Sequence, residues 1–176
     1  DFGVDSDPET DDTKAMQAML AAAKKLSGIV FLELPPVLIS LSDTLELPQN
    51  VRIYARGLAT LRQFDTSKSI FSGKNMENFA LNNLRFVGGL HALDLHTSVE
   101  TKANIFIDKC YFYSTQSYAV KLLSGDGSIA LPNRSRLHFR RSSSIYCTNT
   151  LYTNAEYSEI EAVWVSTSAS QNLSPT

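Results

Sequence analysis

Cysteine is scarce in this 176-residue chain: Cys110 and Cys147 are the only two, and neither has a second Cys or a His at zinc-site spacing. No disulfide framework is defined, and both are expected to be buried thiols. No apolar run approaches the roughly 18 residues a membrane helix needs, and no signal-peptide pattern is present, so a membrane span is excluded. A strong excess of either sign of charge is also missing. With a net charge of -2 and no long basic tract or basic patch interleaved with aromatics, the sequence gives a nucleic-acid partner little support. Tight hairpin turns are rare too. The sole Asp-Gly is Asp126-Gly127, which argues against a β-sandwich or propeller. The surrounding Ser124-Gly125-Asp126-Gly127-Ser128 lacks the Lys-Ser/Thr and the helix of a phosphate loop, and reads as a turn.

What is present is enough apolar material, 43% of residues, for a single globular domain over 1–176. Helical periodicity is confined to one stretch. Thr10 and Asp11 suit an N-cap, Asp11 and Asp12 place negative charge at the positive end of the dipole, and Met16, Met19, Leu20, Ala23 and Leu26 recur on one face. Ser27-Gly28 supplies the stop. This predicts an amphipathic helix over 11–27 that caps the open end of whatever follows. Asp5, Asp7, Glu9 and Asp11 alternate like calcium ligands, but the loop has Thr10 and Met16 where an EF-hand needs Gly and Glu, so no metal or other cofactor is assigned.

After Gly28 the chain reads as short strands and turns. Ile29 to Leu34 lacks alternation and predicts a strand buried on both faces. Val37 to Leu41, Thr44 to Leu47 and Val51 to Tyr54 follow, separated by Pro- and Asn-containing turns. Asn78-Phe79-Ala80-Leu81-Asn82-Asn83-Leu84-Arg85-Phe86 then returns 26 residues later as Asn104-Ile105-Phe106-Ile107-Asp108-Lys109-Cys110-Tyr111-Phe112. Weaker copies lie at Arg136 to Phe139 and Ser158 to Glu161. Each clear copy is a strand, a polar corner suited to a left-handed residue, and a second strand. A further strand precedes each copy: Ser69 to Ser72, Ala92 to Leu95, Ala119 to Leu122 and Thr150 to Thr153. Three strands per turn, stacked over about 28–165, predict an all-β right-handed parallel β-helix, a solenoid with an N-terminal capping α-helix. The Ser/Thr/Asn-rich tail 166–176 is expected to fray or to continue into a further segment. The start at Asp1, without Met, raises the expectation that something upstream has been removed and that the chain is a fragment of a longer protein.

Several of these residues carry a resemblance. Asp1-Phe2-Gly3, Thr10-Asp11-Asp12-Thr13, Ala15, Gln17-Ala18 and Leu20 are similar to the N-terminal pattern D-F-G-A…T-D-D-T-x-A-x-Q-A-x-L of the pectate-lyase-like β-helix superfamily. That superfamily includes phage tailspike depolymerases, polysaccharide lyases, glycosidases and uronate epimerases. Leu45-x-Leu47-Pro48-x-Asn50-Val51-x-Ile53 and Asn78-x-x-Leu81-x-Asn83-Leu84-x-Phe86-x-Gly88 extend the similarity to about residue 88. Departures are Ser6-Asp7-Pro8 for the usual Gly-Asp-Gly, and Pro35-Pro36-Val37-Leu38 for Pro-Pro-Gly-x-Tyr. The resemblance implies a polysaccharide lyase or glycoside hydrolase acting on an acidic polysaccharide or glycan, located as a secreted, cell-surface or virion protein. The alternative is a non-catalytic structural or adhesive module such as a tailspike segment, assembled as a homotrimer. The catalytic signatures of polygalacturonases and alginate epimerases are absent as sets.

Alternation supplies candidate site residues. In Ala92-Leu93-Asp94-Leu95-His96 the leucines point inward, leaving Asp94 and His96 outside; Lys121 and Tyr152 follow the same rule. Stacking is expected to align Phe71, Asp94, Lys121 and Tyr152 in one column. Asp94, His96 and Lys121 are the candidate catalytic groups for proton transfer; Phe71 and Tyr152 are candidates for stacking on sugar rings. Within the basic cluster Arg134, Arg136, Arg140 and Arg141, Arg140 and Arg141 are candidate substrate-binding residues. His91 is expected to point inward and His138 outward, and Trp164 to pack in a core or a subunit contact.

Overall fold

A computed structural model describes residues 3–4, 7, 9–97, 103–124, 132–153, 156–163 and 166–168, with side chains left out for 132–135 and beyond 153. Trp164, the loop at Asp126-Gly127, the side chain of Arg134 and the tail past 168 lie outside what is described.

The architecture is one helix followed by parallel β structure. Helix α1 (Thr13–Lys24) leads into β1 (Val30–Glu33), β2 (Leu38–Leu41), β3 (Leu45–Leu47) and the long β4 (Val51–Gln63). Then come β5 (Phe71–Met76), the long β6 (Asn78–Gly88), β7 (Leu93–Thr97), β8 (Asn104–Asp108) and β9 (Tyr111–Tyr113). The series ends with β10 (Tyr118–Ser124), β11 (Pro132–Arg140), β12 (Ser143–Ile145), β13 (Asn149–Thr153), β14 (Glu156–Val163) and β15 (Ser166–Ser168). All described pairings are parallel. One sheet of five strands runs β13-β10-β7-β5-β3; the other, of ten, takes in the rest, with β4 and β6 each contributing two successive segments. β15 pairs with β12, so regular structure passes the boundary expected at 165.

The repeat appears in the register. Asn78 pairs with Asn104, Phe79 with Ile105, Leu81 with Ile107 and, past the corner, Phe86 with Phe112. The corner residues Asn83 and Lys109 both have left-handed backbones, φ 60° and 53°. Asn83 makes the turn cheaper than its backbone alone would, because its side-chain amide donates to the carbonyls of Ala55 (3.0 Å) and Gly57 (3.1 Å) one layer below. Inward residues stack layer on layer. Phe86 lies face to face with Phe112, centroids 5.2 Å apart, and Phe71 and Phe139 meet this pair edge-on. All four are buried, and such aromatic contacts add about 0.5–1.5 kcal/mol each beyond the area they remove from water.

Helix α1 is fixed to this stack by its acidic start. Asp12 is buried; its Oδ2 accepts the Ser40 N–H (3.1 Å), while its own N–H donates to the Ser40 carbonyl (2.8 Å). Asp11 accepts from the backbone N–H of Thr13 and from the Ser42 hydroxyl. The Ser42 and then the Thr13 hydroxyl hold the Asp11 carboxyl below its usual range. Met16, Met19, Leu20 and Ala23 are buried against the first strands. The helix is shorter than the expected 11–27, and Leu26, past its end, is 63% exposed because the periodic face stops at Lys24. A second correction concerns β1. Its expected two-sided burial fails: Phe31 is exposed, with the Arg52 guanidinium over its ring. Only the inward face of this first layer has core to pack against.

Candidate functional site

The five-stranded sheet carries the predicted column with one change of phase. Lys121 pairs with Asp94 on one side and with Tyr152 on the other. On the lower side, Asp94 pairs with Ser72, and Ser72 with Glu46. Phe71, expected in this column, instead pairs with Leu93 and is fully buried. Ile70 and Phe71 are adjacent apolar residues, and β5 begins at the second of them, so Phe71 takes the inward position and Ser72 the outward one. The outward column is therefore Glu46, Ser72, Asp94, Lys121, Tyr152.

Asp94 is its charged centre. Lys121 Nζ lies 3.3 Å and His96 Nε2 3.7 Å from Asp94 Oδ1. These are ion-pair distances without hydrogen-bond alignment: Oδ1 is shielded from water and makes no hydrogen bond in the structure. A buried acceptor left in this state is costly, and it is the kind of lone pair a ligand donor satisfies. Tyr152 leans on Tyr118, ring centroids 5.1 Å apart. His91 is buried as expected and its Nδ1 accepts the Tyr118 N–H (3.2 Å). Burial, aided by the Lys121 charge, depresses its pKa despite the opposing effect of Asp94.

A groove of about 640 Å³ runs beside the lower half of this column, between it and the C-terminal end of α1. Glu46, Ser72, Asp94 and His96 line one wall; Lys24, Leu26 and Gly28 line the other. A shift of register in β5 after Gly73 adds Lys74 and Asn75, the latter left-handed at φ 55°. Such bulges re-aim side chains beside sites. A Cβ at Gly73 would come within 2.4 Å of Met76 Sδ, so any larger residue there would push the buried Met76 side chain aside. A shallower depression of about 490 Å³ shares Lys24, Glu46 and Ser72. The groove thus offers two carboxylates, Glu46 and Asp94, among three cationic or ionisable groups, Lys24, Lys74 and His96. Glu46 was legible only as the outward residue of Leu45-Glu46-Leu47; what gives it significance is the cap beside it.

Arg140 and Arg141 are not brought to this groove. Arg140 pairs with Asp108 on the ten-stranded sheet, and Arg141 forms a bidentate ion pair with Asp108, one arm at 2.8 Å. That carboxylate raises the Arg141 pKa. His138 faces outward as expected but is covered by Phe106, whose ring stacks on it. Cys110 is buried, and burial pushes its thiol up to about 12. Among the described residues, no group of three His, Cys, Asp or Glu side chains is placed to hold a metal ion, and no helix is long and apolar enough to cross a membrane.

No family model matches the sequence, and no curated protein matches it. Among solved structures, the fold is similar to the crystal structure of a protein described as a putative glycosyl hydrolase from Parabacteroides merdae ATCC 43184. The TM-score is 0.57 at 14% identity, with 97% of each chain covered. At that identity the similarity is one of fold.

Proposed function

We propose that the chain is a right-handed parallel β-helix of the pectate-lyase-like kind, and that it hydrolyses an acidic polysaccharide outside the cell in the groove beside α1. The observation that carries the reading is the pair of carboxylates, Glu46 and Asp94, two layers apart across the small Ser72 on the groove wall. At about 4.8 Å per layer their backbones are about 9.6 Å apart. Inverting glycosidases hold their two carboxyl groups roughly 6.5–9.5 Å apart, so that one protonates the leaving oxygen while the other takes a proton from the attacking water.

Asp94, beside Lys121 and His96, is the base in this reading, and Glu46 is the acid. Water adds its oxygen to the anomeric carbon as the glycosidic C–O bond breaks; its proton goes to Asp94, and the Glu46 proton goes to the departing oxygen. Lys74 and Lys24 bind substrate carboxylates. The glycosyl hydrolase description of the similar fold supports hydrolysis over elimination.

The test is incubation with polygalacturonate, alginate and hyaluronan, following reducing ends together with ultraviolet absorbance of unsaturated uronate. Reducing ends without ultraviolet absorbance, lost by at least about a hundredfold in Asp94→Asn and Glu46→Gln, support the reading, because positioned acid–base groups contribute about 10²–10⁴-fold. Absorbance from the wild type would make it a lyase. No cleavage of any polymer favours the non-catalytic, adhesive alternative.

A further inference from the structure

The outer face of the ten-stranded sheet carries a second column, with a gap in it. In register, Phe31 pairs with Arg52, Arg52 with Ala80, Ala80 with Phe106 and Phe106 with His138. At the lower end the Arg52 guanidinium lies 5.5 Å from the Phe31 ring centroid. At the upper end the Phe106 and His138 rings are stacked, centroids 4.5 Å apart and planes 5° from parallel. Between these pairs stands Ala80, which has no ring to continue the stack. The gap therefore spans two layers, about 9.6 Å between flanking backbones, and a single ring inserted in it lies about 4.8 Å from each wall. That is close to the spacing at which Phe106 and His138 already stack.

The walls of the gap are unlike. One is Phe106, a residue 39% exposed whose other face is stacked on His138; the other is the guanidinium of Arg52, which lies over Phe31. Asn78 and Asn82, two residues to either side of Ala80 on the same face of β6, flank the floor. Their amide N–H groups already donate to Asn50 Oδ1 (2.8 Å) and to Asp108 Oδ2 (3.0 Å), so it is their carbonyl oxygens that can accept from a ligand hydroxyl. An apolar ring face, a cation and two amides suit a pyranose carrying a carboxylate. The C–H face of the sugar lies on Phe106, the carboxylate meets Arg52, and the hydroxyls meet the asparagines.

We infer that the Ala80 notch is a binding subsite for one uronate ring of an acidic glycan, on a different sheet from the Glu46–Asp94 groove and independent of it. It retains polymer without cleaving it.

The test uses the full chain, with backbone amide shifts followed during titration with galacturonate, guluronate and hyaluronan oligosaccharides, and with cellohexaose as the neutral control. At least one acidic oligomer is expected to give saturable shifts centred on Ala80, Asn82 and Phe106, with a Kd near about 1 mM. Ala80→Phe fills the notch with the ring the stack lacks, so it abolishes these shifts while leaving the melting temperature unchanged or higher. Phe106→Ala weakens binding about tenfold. The shifts at Ala80, Asn82 and Phe106 are likewise expected in Lys14→Ala, a substitution away from both sites, whereas any shifts at the groove residues Ser72 and Gly73 are unaffected by Ala80→Phe, which separates this site from the groove. Wild-type binding by Ala80→Phe, equal shifts with cellohexaose, or no shifts at these residues with any acidic oligomer would overturn the inference.

Discussion

Replacing Asp12 with Ala removes the carboxylate that joins the cap to the strands. The Ser40 N–H, on a residue with no solvent exposure, then loses the acceptor it has at 3.1 Å. A hydrogen bond to a charged group is worth about 1.5–3 kcal/mol, and a buried donor left without a partner costs about 1–3 kcal/mol. These overlap, so about 2–3 kcal/mol is expected. For a domain of this size, each kcal/mol lowers the melting temperature by about 2–4 °C, giving a drop of about 4–12 °C. Asp12→Asn keeps an oxygen that accepts the same N–H and should lose about half as much. Calorimetry or circular dichroism gives the temperatures, and hydrogen exchange at the Ser40 amide reports the bond itself. Proteins open locally in cooperative units, so that amide should exchange faster in Asp12→Ala even if strands far from α1 keep their protection. An unaltered melting temperature together with unaltered Ser40 protection would refute the reasoning.

Leu20→Asp puts a charge into the buried contact of α1 with the strands and should cost on the order of 3 kcal/mol or more in urea unfolding. At the corner, Asn83→Ala loses two hydrogen bonds and strains a left-handed backbone, whereas Asn83→Gly loses only the bonds; about 2–4 kcal/mol and a smaller loss are expected, in that order. The depressed pKa of His91 makes a signed prediction. The unfolded chain binds the proton near the ordinary value of 6.5 while the folded one resists it, so this contribution to stability is full above 6.5 and is lost as pH falls toward the folded pKa. His91→Gln should flatten that part of a stability–pH curve.

The cap and the layers were legible because both rest on local chemistry. The Met16-Met19-Leu20-Ala23 stripe has a single helical solution, and the copies at Asn78 and Asn104 carry the same corner at the same spacing. Phase within a strand was less secure: two adjacent apolar residues, Ile70 and Phe71, leave alternation undecided, and Phe71 went inward. Exposure at the first layer also escaped the pattern, since Phe31 is apolar but has no core beyond it. The groove was not legible, because it exists only where the end of α1 stands beside Glu46 and Ser72. Nor did sequence order show that Arg141 is taken up by Asp108, 33 residues away.

The most direct test of the carboxylate pair across Ser72 is the configuration of the sugar released first. Proton NMR of the initial anomeric signals, recorded on whichever of the three polymers the wild type cleaves, is predicted to show inversion. Retention, or an unsaturated product, would contradict it.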